Sequence, residues 1–188
     1  MKKTLFLILG VAVLVTTGAY YFTEVSKAPS GEEAVTNFDE CAAAGNPIME
    51  SYPRQCRAGG QTFVEDVGNV LEKADLIRLN SPLPNTNASS PLVISGEARG
   101  YWFFEATFPV ILTDWNGRII AQTYATAEGE WMTEEFVPFT ATVEFEDPVF
   151  EGADENHFSS RGALILQKDN PSGLPENDDA LEITVWFE

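Results

Sequence analysis

The chain has 188 residues, with 11 basic against 29 acidic side chains and a formal net charge of −18. A surface this acidic repels nucleic acid and anionic lipid head groups and so excludes both as partners of the folded part; the plain reading of the charge is solubility. The length leaves room for one ordinary domain and a small accessory piece.

Lys2 and Lys3 precede an uncharged, strongly apolar run from Leu5 to Phe22, and Glu24 follows it. That run is close to the roughly 20 residues a helix needs to cross a bilayer core. The flanking charges place the N-terminus inside and the rest of the chain outside. Residues 1–25 therefore read as an apolar helix that is either a cleaved signal peptide or a retained membrane anchor. Ser26-Lys27-Ala28 has the small-x-small form of a cleavage site but is followed by Pro29, a poor residue there, and Thr16-Thr17-Gly18 is weaker still. Both fates stay open, and under either the body of the protein is extracytoplasmic. Residues 26–36 are small, polar and acidic, as a flexible linker is.

A cysteine segment spans residues 37–67. Cys41 and Cys56 are the only cysteines, and an even count in an exported chain predicts one disulfide. The loop between them holds Gly45, Asn46, Pro47, Tyr52 and Pro53 and too few apolar residues for a core. A bridge over such a loop is worth about 3 kcal/mol on the chain-entropy model, so it is expected to be the segment's main constraint. Two thiols without a nearby histidine cannot complete a zinc shell. Their spacing is also wide for a redox dithiol. Thr62-Phe63-Val64 reads as a short strand, and residues 68–75 as a charged link with a turn of helix.

Residues 75–188 show apolar residues at period two in short runs bounded by turn residues. Ile77 and Leu79 form the first run, and Ser81-Pro82-Leu83-Pro84-Asn85 ends it, since prolines interrupt a ladder. Leu92–Ala98 and Phe108–Thr113 follow. Asp114-Trp115-Asn116-Gly117 supplies a hairpin turn, because Asn-Gly tolerates positive φ. Ile119–Thr126, Phe136–Phe145, Ala163–Lys168 and Leu181–Phe187 complete a set of seven. In the last run Leu181, Ile183, Val185 and Phe187 share one face. Ala141, Val143 and Phe145 do the same in an earlier one. Seven such strands without an amphipathic helix between them predict an all-β, antiparallel two-sheet sandwich.

The chemical inventory is thin. His157 is the sole histidine and lies in an acidic loop, where it reads as solvated; no nucleophile elbow accompanies it. No catalytic residues, no resident metal and no cofactor are assigned. Calcium is the one ion worth weighing, at the acidic loops 144–155 and 176–179, although neither has an ordered Asp-x-Asp-x-Asp-Gly pattern. The aromatic residues are the better candidates. In an extended chain Trp102 and Phe104 face one way and Tyr101 and Phe103 the other, so one pair is left for the surface or a partner. Trp115 at a hairpin tip and Trp186 on the outward face of the last strand extend this possible binding surface.

The ordered motifs carry a resemblance. They are Ser81-Pro82-Leu83-Pro84-Asn85, Pro91-Leu92-Val93-Ile94-Ser95-Gly96-Glu97-Ala98-Arg99-Gly100, Trp102-Phe103-Phe104-Glu105, Phe108-Pro109-Val110, Gly129-Glu130-Trp131-Met132 and Lys168-Asp169-Asn170-Pro171-Ser172-Gly173. Together they resemble the immunoglobulin-like domain associated with bacterial spore germination proteins. The resemblance implies an extracytoplasmic immunoglobulin-like sandwich with an interaction role and no catalytic residues. The same motifs also have local uses: Gly96 and Gly100 suit a bulge or close backbone approach, and 169–173 a tight turn.

The sequence thus leads to a non-catalytic binding or adhesion module of the bacterial cell envelope, joined to the membrane through its N-terminal segment. Its expected partner is an envelope protein or a cell-wall polysaccharide. A structural spacer or assembly subunit is the alternative, with a hydrolase or a protease-inhibitor loop behind both.

Overall fold

The computed structural model describes residues 35–153 and 157–187. The expected N-terminal helix and nearly all of the linker lie outside the described residues, as do Asp154–Asn156 of the acidic loop. No helix among the described residues is long and apolar enough to cross a membrane. The chain divides into two units, one ending at Glu65 and the other running from Asp66.

In the first unit, helix α1 (Phe38–Ala43) starts where the Asn37 side chain accepts the Glu40 N–H. Glu40 in turn accepts the N–H and hydroxyl of Thr36 at 2.7 and 2.8 Å, and these bonds hold its carboxyl below the usual carboxylate range. A three-stranded antiparallel sheet follows, made of β1 (Ile48–Met49), β2 (Gln55–Ala58) and β3 (Gln61–Val64). The expected disulfide joins Cys41 of α1 to Cys56 of β2, with Cα atoms 6.0 Å apart. Both cysteines are fully buried and, with Phe38, form the unit's only buried apolar cluster among the described residues. So small a core cannot hold a helix on a sheet alone, and the covalent bond takes that role. Buried Glu65 is matched by Arg54, whose guanidinium reaches both carboxylate oxygens at 2.9 and 2.6 Å and lies over the Phe38 ring.

The second unit opens with the short helix α2 (Val70–Lys73). Its strands are β4 (Ile77–Ser81), β5 (Asn87–Ala88), β6 (Leu92–Arg99), β7 (Thr107–Thr113), β8 (Ile119–Ala127), β9 (Phe136–Val143), β10 (Arg161–Gln167) and β11 (Ala180–Phe187). All seven predicted strands are present. They form one curled sheet in the order β4-β6-β9-β8-β7-β10-β11-β5. Only Thr126–Thr140 and Ala127–Phe139 pair β8 with β9, so the sheet folds there into two facing layers, β4-β6-β9 and β8-β7-β10-β11-β5. This is the all-β, immunoglobulin-like arrangement that the resemblance implies.

Alternation fills the core as expected. Leu181, Ile183, Val185 and Phe187 are buried along β11, and Val137, Phe139, Ala141 and Val143 along β9. Phe108 of β7 meets Phe139 of the opposite layer edge-on at 4.9 Å and Phe103 at 5.2 Å. Such pairs add about 0.5–1.5 kcal/mol each beyond the area they bury. Phe145 lies just past the end of β9 but still packs on Phe187 at 5.5 Å.

Strand β5 was not expected. The proline-broken stretch after β4 carries the chain from one layer to the other, where Asn87 and Ala88 pair parallel with Trp186 and Phe187. The outer edge of β11 is closed along its length. Asn69 donates to Ala180 O and accepts from Glu182 N–H at 2.9 and 2.8 Å, Asn85 N–H donates to Thr184 O, and Trp186 N–H to Thr86 O. At the other edge β4 is short, bulged between Leu79 and Ser81, and carries Arg78. These features all discourage edge pairing. Strand β8 differs: among the described residues no strand pairs with its outer side from Ile119 to Ala125.

Candidate binding site

The β7–β8 turn is built around one carboxylate. Asp114, with a side chain only 7% exposed, accepts the N–H groups of Asn116 and Arg118 and the Arg118 Nε–H, each at 3.0 Å. Burial pushes its carboxyl up, but the backbone and guanidinium hydrogen bonds from Arg118 and Asn116 outweigh that and hold it below the usual carboxylate range. Of the expected Asn-Gly pair only Gly117 takes a positive φ, +75°, giving a three-residue loop. Trp115 stands at its tip, 45% exposed.

The β9–β10 connection brings further rings to that tip. The Asp147 side chain accepts the Val149 N–H at 2.9 Å, turning the chain just ahead of Phe150. The Phe150 N–H donates to the hydroxyl of buried Ser159 at 3.2 Å. His157 Nδ1 lies 2.8 Å from that hydroxyl and accepts the Ser159 N–H at 3.2 Å. With Nδ1 used as an acceptor, the neutral ring carries its proton on Nε2.

These bonds gather Trp115, Phe150, His157 and Phe158 into one ring cluster. Trp115 meets Phe158 at 4.7 Å and Phe150 at 6.3 Å, Phe150 meets Phe158 at 5.7 Å, and His157 lies 4.1 Å from Phe158. Phe150 and Phe158 remain 50% and 53% exposed. Single exposed rings are ordinary on a protein surface; three in mutual contact form an apolar patch that a partner can cover. Glu151, exposed and next in the chain to Phe150, sets a carboxylate beside the patch.

The surface expected from the sequence is not one surface. Gly100–Trp102 is a 3₁₀ turn rather than extended chain, so period two fails there. Trp102 and Phe103 are both buried, while Tyr101 and Phe104 are exposed. Trp102 and Phe103 are therefore core residues, and the Trp102 indole N–H has no acceptor among the described residues. Trp186 is half-buried opposite Arg161. Among the described residues no ring contact links Tyr101, Phe104 or Trp186 to the cluster, and only Trp115 belongs to it. His157 is half-buried between rings rather than solvated. The sequence reading passed over Phe150 and Phe158. The available signal was two phenylalanines closely flanking an acidic loop, with no strand to absorb them. Among the described residues no three His, Cys, Asp or Glu side chains converge to hold a metal ion.

No curated protein and no solved structure matches the chain. Residues 76–154, covering β4 to β9 and most of the loop after them, match the family model described as the immunoglobulin-like domain of bacterial spore germination.

Proposed function

We propose that the protein is a non-catalytic binding module of the bacterial cell envelope, held at the membrane by its N-terminal segment. The observation that carries this reading is the exposed cluster of Trp115, Phe150 and Phe158 at one end of the sandwich. Exposed aromatic rings beside polar groups suit either a sugar face or an apolar protein side chain, so the partner class is a cell-wall polysaccharide or an envelope protein. The sole histidine supports a non-catalytic role. Its Nδ1 is spent on Ser159, whose hydroxyl is buried and already accepts the Phe150 N–H, so it is not aimed at an exposed nucleophile.

Sedimentation of the chain with isolated envelope fractions, with and without prior protease treatment of those fractions, tests this. Retention by untreated material is expected, and its sensitivity to protease separates a protein partner from a polysaccharide. Absence of retention across varied salt and calcium contradicts the reading. A structural spacer or assembly subunit is the second reading, and the unpaired side of β8 favours it.

A further inference from the structure

We propose that β8 is the contact through which two copies of this chain pair, edge to edge and antiparallel, continuing the five-stranded layer from one copy into the other. Two observations set β8 apart. Its outer side is unpaired from Ile119 to Ala125 among the described residues, whereas side chains and loops occupy the β11 edge at every second residue. Its sequence, Ile119-Ile120-Ala121-Gln122-Thr123-Tyr124-Ala125-Thr126-Ala127, also lacks the usual protection. Charged residues make up 21% of the chain, yet this strand has none, and it has no proline. Open backbone groups on an uncharged edge are a template for another strand.

Charge argues for a second copy as the occupant. At a net charge of −18 most ways of joining two copies bring carboxylates together. An antiparallel pairing of β8 with itself brings none together within the strand. With the two-fold axis near Gln122, the middle of the unpaired stretch, Gln122 lies opposite Gln122 of the other copy and Ile119 opposite its Ala125, and Thr126 and Ala127 keep their pairing with β9. Ile119 and Tyr124, each 55% exposed, then lose water on association. The axis also makes the contact close on itself, giving a dimer rather than a filament.

Both cysteines are consumed in the disulfide, so a new thiol reports the contact directly. Gln122→Cys and Thr123→Cys, made singly in the full chain in mild detergent, are oxidised and run without reductant. Covalent dimers are expected from one or both, and not from Ser172→Cys in the turn before β11. A Gln122→Lys/Tyr124→Lys variant that keeps the wild-type unfolding midpoint is expected to weaken the non-covalent dimer by about tenfold or more, since it sets like charges across the axis. A monomeric wild-type chain, equal cross-linking at position 172, or a dimer indifferent to the lysines overturns the proposal. So does a monomer whose β8 pairs instead with an extended segment of another protein. None of these outcomes touches the aromatic cluster, so this inference and the envelope-binding reading stand or fall separately.

Discussion

Two residues show how closely single side chains are fitted. Gly96 faces the β4 bulge, and a Cβ there would sit 2.2 Å from Arg78 O and 2.7 Å from the Phe139 ring. Gly96→Ala therefore has to displace backbone or a core ring, at a cost of roughly 1–3 kcal/mol. Urea unfolding checks this, and a loss below roughly 0.5 kcal/mol contradicts it. Asp114 gives a pH signature. Its folded carboxyl is depressed, so its stabilisation is present above the unfolded value and drains away as pH falls through the folded one. Below about pH 4 the wild-type urea midpoint is expected to fall more steeply than that of Asp114→Asn, which has no proton to gain there. Parallel curves for the two proteins contradict the turn's electrostatics.

At the scale of elements, edge closure by single residues is the main theme. Asn69 stands in for a strand by donating to and accepting from β11. Asn69→Ala is expected to cost about 1–3 kcal/mol for two hydrogen bonds and to speed amide exchange at Glu182. Unchanged exchange at Glu182 means that the Asn69 side chain does not close the edge. Such closures were illegible in the sequence, whereas the strands themselves were plain. Leu181, Ile183, Val185 and Phe187 announce a strand because burial on one face is a local, periodic signal. The pairing of β5 with Trp186 and Phe187 leaves no local trace, since it depends on register with a strand about a hundred residues further on. The Gly100–Trp102 turn misled for a related reason. Four consecutive aromatics look extended until a 3₁₀ turn puts two neighbours, Trp102 and Phe103, on the same side.

Across the whole molecule, the charge and the binding reading concern different parts of the surface. The −18 is spread along the chain and is accounted for by solubility. The ring cluster is a small apolar exception next to Glu151. Trp115 was legible as a candidate because a tryptophan at a hairpin tip has no core to enter. Phe150 and Phe158 were not, because only closure of the β9–β10 connection over the β7–β8 turn turns isolated loop residues into a patch. Whether this patch engages a partner in the envelope, as proposed above, is tested most directly by replacing its rings. In the sedimentation measurement, Trp115→Ala/Phe158→Ala with an unchanged unfolding midpoint is expected to lose roughly tenfold or more of the affinity seen with the wild-type chain, as truncation of central aromatic anchors does. Undiminished retention of that variant would contradict the account.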